Sequence, residues 1–334
     1  MRKMTLHKFL PVVAFAIATP VRILAQDGQL SQFEMAAAML NPALTGMYEN
    51  AEFRMSANVR NQWGRLGSNF TTTNFSYENN VQQRYGFGSY LSNYNMAGIM
   101  NTFQFGVSGA YNVSDKSAKH TLSVGTTLGL IYKKLNQQEL VWDAQYDDGY
   151  FNTDLPSGEF FEKGARLMPE VAVGVAYRSI DRNRKVNPFG NFAMHHATSP
   201  DESILRVEKA PLPIRYSVNG GARISVTEQL ILIPQALYWR QGPAQMINVG
   251  MLAEVPLIGS VYSVVGGGAY RVGDAAIVHL GVKHKSSVYR FSYDINTSPL
   301  KSYTNNHGAF EFAILYYGTH SGREAGRRLQ SSTF

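Results

Sequence analysis

The sequence predicts an all-β protein: a transmembrane antiparallel β-barrel of about fourteen strands, with short periplasmic turns and long extracellular loops. Three observations carry that prediction. Segments of about ten residues alternate between apolar or aromatic side chains and small or polar ones, the period of a strand whose two faces meet different surroundings. Aromatic residues reach 12% of the chain, with Tyr 19 and Phe 18 against Trp 3, and they crowd the ends of those segments as in interfacial girdles. No stretch beyond the N-terminal leader approaches a transmembrane helix. The mean hydropathy of −0.20 suits a wall whose polar lumen residues dilute its lipid-facing ones.

The leader comes first. Arg2, Lys3 and Lys8 form a positive region, an apolar run extends from Phe9 to about Val21, and Ala25 precedes Gln26 and Asp27, where the chain turns polar. This pattern predicts a secretory signal peptide over 1–25, cleaved near Ala25, although Ile23 stands where a small residue is preferred. The competing reading, a single membrane anchor, falls short of the roughly 20 apolar residues needed to span. The chain has no Cys, which excludes disulfides, thiolate metal sites and a lipoprotein anchor. The net charge of +7 brings no Arg/Lys block with interleaved aromatics, so nucleic acid is not an expected partner. The resulting division is 1–25 signal peptide, 26–50 periplasmic segment, 51–318 barrel and 319–334 periplasmic tail.

Strands follow from the alternation. Phe103, Phe105, Val107, Gly109 and Tyr111 share one face, while Thr102, Gln104, Gly106, Ser108 and Ala110 share the other. Leu122, Val124, Leu128, Leu130 and Tyr132 likewise oppose Thr121, Ser123, Gly125, Thr127 and Gly129. Toward the C-terminus, Ala276, Val278, Leu280 and Val282 oppose His279, Gly281 and Lys283, and Tyr289, Phe291, Tyr293 and Ile295 oppose Arg290, Ser292 and Asp294. Apolar outside and polar inside is the signature of a wall between lipid and a wet lumen. The segments centre near Ala57, Asn74, Phe87, Val107, Gly125, Val173, Phe192, Gly220, Ile233, Val249, Val265, Val278, Phe291 and Ile314. With the chain starting in the periplasm, the long fifth, seventh and thirteenth connections all fall outside. They run about 134–167, 197–210 and 296–307. A soluble sandwich would also alternate, but segments of about ten residues exceed its usual five or six.

Several motifs add a resemblance. Gln26-Asp-Gly-Gln-Leu-Ser-Gln-Phe33, Leu40-Asn-Pro-Ala-Leu-Thr-Gly46, Val59-Arg-Asn-Gln-Trp63 and Leu140-Val-Trp-Asp-Ala-Gln-Tyr146 are followed in order by Leu212-Pro-Ile-Arg-Tyr216 and Leu232-Ile-Pro234. Tyr270-Arg-Val-Gly-Asp-Ala275, Phe291-Ser-Tyr-Asp-Ile295 and Gly308-Ala-Phe-Glu-Phe312 complete the series. This order resembles the PorP/SprF family of type IX secretion system membrane proteins, over essentially the whole mature chain and least clearly between about 151 and 210. The resemblance implies an outer-membrane component, of Bacteroidetes-type bacteria, that supports secretion, gliding or surface attachment of an adhesin. The partners it implies are outer-membrane lipid, periplasmic components of the secretion machine, and a surface adhesin or secreted cargo protein. The competing function is a passive porin or hydrophobic-compound transporter.

No arrangement points to catalysis, and no cofactor is expected. Asp143, Asp147, Asp148 and Asp154, with Glu159 and Glu162, suggest either a solvated acidic loop or a Ca²⁺ site without EF-hand spacing. The adjacent His195 and His196 face opposite sides if both lie on a strand and then cannot share a metal. Arg271 and Asp274 flank a tight turn and predict a local ion pair. Gly266–Gly268 lies within a strand, where glycines ease bending or close packing. The candidate partner-binding residues are Trp142, Tyr146, Tyr150 and Phe151 in the long loop, Asn41 before the first strand, and Arg323, Arg327 and Arg328 in the tail. Asn41-Pro42 is read as a turn. The segment around it either plugs the lumen, docks a periplasmic partner, or simply leads into the first strand.

Overall fold

The computed structural model describes residues 27–319 except 65–68, 116, 138–139, 141, 148–149, 153, 157, 159–163, 205–208 and 300. The expected leader and the tail arginines Arg323, Arg327 and Arg328 therefore lie outside the described residues. The first half of the wall is β1 (Phe53–Gln62), β2 (Phe70–Val81), β3 (Tyr85–Met96), β4 (Met100–Asn112) and β5 (His120–Leu135). Within the long loop that follows lies a miniature hairpin, β6 (Tyr146–Asp147) and β7 (Tyr150–Phe151). The wall resumes with β8 (Ala165–Ser179), β9 (Val186–His195), β10 (Arg215–Thr227), β11 (Leu230–Gln241) and β12 (Ala244–Pro256). It ends with β13 (Tyr262–Arg271), β14 (Ala275–His284), β15 (Ser287–Asn296) and β16 (His307–Gly318). Apart from β6 and β7, these strands form one closed antiparallel barrel, sealed where Ala57 of β1 faces Ile314 of β16. Each predicted centre falls in its own barrel strand.

Closure follows from the solvent. A sheet edge in hydrocarbon would leave backbone groups unpaired at several kcal/mol each, and a barrel has no edge. The shortest barrel strands have 10 residues. At ~3.4 Å per residue and a tilt of ~40° such a strand rises about 26 Å, the height of the apolar band. The alternation is realised as predicted. Phe105, Val107, Leu128, Val278, Leu280 and Phe291 project outward, while Ser108, Thr127, His279, Ser292 and Asp294 are buried in the lumen. Ring pairs gird the end with the short turns: Tyr85 and Tyr111 tilted at 5.4 Å, His120 stacked on Tyr177 at 6.0 Å and Tyr262 stacked on His284 at 4.4 Å. The longest connections, 136–164, 196–214 and 297–306, all open at the other end.

One placement differs from expectation. Residues 27–48, assigned to the periplasm from sequence, fold inside the barrel, where Leu30 through Ala38 are all buried. Their polar groups find partners on the lumen wall, so packing inside satisfies side chains that are charged on both sides. The segment enters near the long-loop end and leaves at the short-turn end, where the chain continues into β1.

Candidate functional site

The plug is built from three short turns: a 3-10 turn at Phe33–Met35, a helical turn at Ala37–Leu40 and a 3-10 turn at Pro42–Leu44. Asn41 joins the last two. Its side-chain oxygen accepts the N–H of Ala43 at 2.8 Å, with Pro42 at the first helical position, where a missing N–H costs nothing. Its Nδ2 donates to the carbonyls of Phe192 (2.9 Å) and Val175 (3.2 Å) and to Asn191 Oδ1 (3.2 Å). Asn41 is 0% exposed, so it is not on a surface that a partner reaches. Of the three readings for this segment, the plug describes its placement. The wall beneath is the cross-strand pair Gly125 and Gly174 of β5 and β8. A Cβ on Gly125 would lie 2.5 Å from the Pro42 carbonyl, so glycine lets the backbones approach.

Three groups of charges fix the plug along its length. Near the long-loop end, Asp27 Oδ2 meets Arg215 Nη1 at 2.7 Å and His196 Nε2 at 2.8 Å, while His196 Nδ1 lies 2.5 Å from Glu170 Oε2. Burial disfavours charge on both Asp27 and His196. The mutual attraction wins, holding Asp27 well below the usual carboxylate range and, with Glu170, pushing His196 up to about 9. At mid-height, Glu311 receives the backbone N–H of Ser31 (2.6 Å) and of Gln32 (3.2 Å). Ser31 Oγ donates to Asp294, which also takes Arg60 (2.9 Å) and Arg271 (3.2 Å). Glu34 pairs with Arg290. At the short-turn end, Glu78 holds Arg54 at 2.6 Å and accepts the N–H of Gly46 at 3.0 Å. Hydrogen bonds to charged groups contribute roughly 1.5–3 kcal/mol each. An apolar contact of Phe33 with Leu237, Trp239 and Met246 supplements them.

The histidines depart from the strand reading. β9 ends at His195, and His196 turns back with φ +57, so both rings are buried, His195 against the Leu40 carbonyl at 3.2 Å. The Arg271–Asp274 ion pair forms at 2.8 Å, and Arg271 also donates to Ser31 Oγ at 2.7 Å, which ties the turn to the plug.

In the long loop, Tyr146 and Tyr150 are 51% and 80% exposed, on facing strands of the miniature hairpin, where Tyr146 pairs with Phe151 and Asp147 with Tyr150. Trp142 is half-buried beside them, and its backbone N–H donates to Gln145 Oε1 at 3.3 Å. Asp147 and Asp154 are exposed, while Asp148, Glu159 and Glu162 lie outside the described residues. Among the described residues no three His, Asp or Glu side chains gather as a metal site would require. Apart from His196 and Arg271, which sequence marked for other reasons, the ionic groups that hold the plug carry no sequence motif for a site. Their signal was there: Arg290, Asp294 and Glu311 occupy lumen-facing strand positions, where a charge requires a partner inside the barrel.

Comparison with known proteins agrees with this architecture. The sequence model of the family described as type IX secretion system membrane protein PorP/SprF matches residues 23–316. No curated protein matches the chain. Among solved structures, the TodX deltaS2S3 mutant monoaromatic hydrocarbon channel superposes with a TM-score of 0.51 at 10% identity, over 85% of this chain and 94% of that one. The Ralstonia pickettii toluene transporter TbuX gives 0.47 at 13% identity over 84% and 92%, and a Pseudomonas aeruginosa FadL homologue gives 0.47 at 10% over 84% and 93%. At 10% identity the likeness to the TodX channel shows the barrel fold alone.

Proposed function

Since the chain belongs to the type IX secretion system membrane protein PorP/SprF family, we propose that this outer-membrane barrel supports the secretion or surface attachment of other proteins, and that it does so through protein contacts at its two mouths rather than through solute flow. The family and the fold are of non-enzymatic kinds, and no catalytic step is assigned. One observation carries the reading: the lumen is occupied from end to end by a plug whose charged groups are paired with the wall. A filled barrel offers its rims, not its bore. On the outside, Tyr146 and Tyr150 present exposed aromatic surface among polar residues, the composition of an interface that takes a protein partner.

The competing reading is passage of small apolar molecules. It is favoured by a cavity beside the plug whose apolar lining is Phe33, Leu40, Leu237, Trp239 and Met246, although the charged Asp27 and Arg215 line it too. Partner capture separates the two. The tagged protein, mildly solubilised, is compared with a variant lacking residues 145–159. The deletion should remove the external partner and leave barrel assembly and periplasmic contacts intact. Retention of every partner and normal surface display would sink the loop assignment.

A further inference from the structure

The periplasmic rim carries charges that the plug does not use. The short turns at 113–119 and 180–185 are neighbours, joined where the N–H of Ile180 donates to the Lys119 carbonyl at 2.9 Å. Between them, Asp181 Oδ2 serves both Lys119 Nζ (3.3 Å) and Arg184 Nε (3.6 Å). Beside them, Glu49, at the foot of the plug, serves both Arg182 (3.7 Å) and Arg178 (3.9 Å). Lys185 follows and is exposed. These two carboxylates are shared by four cations, with Lys185 as a fifth; with the exposed Asp115 of the first turn counted, five cations face three carboxylates, an excess of positive charge. The side chains of Lys119, Arg182 and Arg184 are 65%, 62% and 71% exposed, so their donors face water. A guanidinium fork in that state matches a carboxylate in two-point geometry.

The direction of the group decides what it meets. Arg182 and Arg178 both reach toward Glu49, inside the mouth, whereas the lipid side of the same strands presents the stacked His120 and Tyr177. The cations thus line one side of the mouth of the bore rather than the bilayer. Beside them a cavity lined by Leu44, Met47 and Phe189 opens under Arg178, giving apolar surface next to the charge.

We propose that Lys119, Arg182, Arg184 and Lys185 form a docking surface at the periplasmic mouth for an acidic segment of a soluble protein partner. This rests on the reading above that the barrel acts through protein contacts, and it names the chemistry of the inner one. Binding is electrostatic and falls with ionic strength as the Debye length shortens.

The test uses the full barrel in detergent and a fluorescent octaglutamate peptide, read by anisotropy. Two triple variants are compared: Arg182→Glu/Arg184→Glu/Lys185→Glu at the rim group, and Lys134→Glu/Lys209→Glu/Lys301→Glu, with the same change in net charge at the long-loop end. Heat-modifiable gel migration shows that both fold. The rim variant should weaken peptide binding by about tenfold, the sum of three exposed pairs, while the control variant stays within about twofold of the parent. Equal losses in both variants, or no loss in either, would overturn the proposal. So would a rim variant that keeps the peptide and loses only its association with vesicles of anionic phospholipid, since the group would then serve the lipid surface. A strain lacking the protein separates the two levels. Normal secretion in that strain contradicts the proposed function, whereas impaired secretion there with unchanged peptide binding by the rim variant contradicts the docking surface alone.

Discussion

The side-chain oxygen of Asn41 occupies the space that a Cβ on Gly174 would take, 2.0 Å from its ideal position. Plug and wall are fitted to each other at this point, and each depends on the other's identity. Gly174→Val should lift the Asn41 turn from the wall. Asn41→Ala should leave the Val175 and Phe192 carbonyls without this donor and cost about 1–3 kcal/mol. Both variants should make residues 27–48 cleavable by protease in the folded barrel, with a larger effect for Gly174→Val. Protection equal to that of the parent would contradict the fit.

Arg290 and Glu34 test the ionic character of the plug. Both are almost completely buried, with exposures of 3% and 2%. Arg290→Ala strands a carboxylate in the lumen and should cost roughly 3–5 kcal/mol, whereas the double change Arg290→Met with Glu34→Leu should recover most of that loss. The unfolding temperature read by heat-modifiable migration measures both.

His196 gives the pH dependence. Its folded pKa of about 9 lies above its ordinary value near 6.5, so the folded state binds the proton more tightly. The stabilisation is complete below pH 6.5 and is lost as pH rises through 9. Asp27 works in the opposite sense: held far below its ordinary range, it stabilises at neutral pH and loses its effect only in strong acid. The parent's thermal stability should therefore fall between pH 7 and 9.5, and His196→Gln should flatten that fall while lowering the plateau.

Tyr146 and Tyr150 supply the outer prediction. Replacing both by Ala should weaken capture of the external partner by roughly tenfold, as loss of aromatic anchors does. The contacts at the periplasmic mouth should not change. Quantitative co-purification measures both at once.

The barrel was legible because a strand's period is local. Phe103, Phe105 and Val107 announce one face whatever surrounds them, and all fourteen strand centres could be set from such runs. The plug was not legible, because Phe33 to Leu44 makes turns of three and four residues with no period. Only long-range partners such as Asp294 and Glu311 determine where that segment lies. His196 was misplaced for a similar reason: a single positive φ ends β9 one residue earlier than alternation implies and turns the ring inward. Asn41 was correctly read as a turn residue, but its chemistry faces Val175, Asn191 and Phe192, which are more than a hundred residues away.

Single-channel recording in planar bilayers tests the central claim most directly. A barrel that acts through its rims while its lumen is filled should be silent as the full mature chain. A variant lacking residues 27–48 should open steps of large, stable conductance. Large and reproducible conductance from the full chain would contradict the account and favour a passive channel.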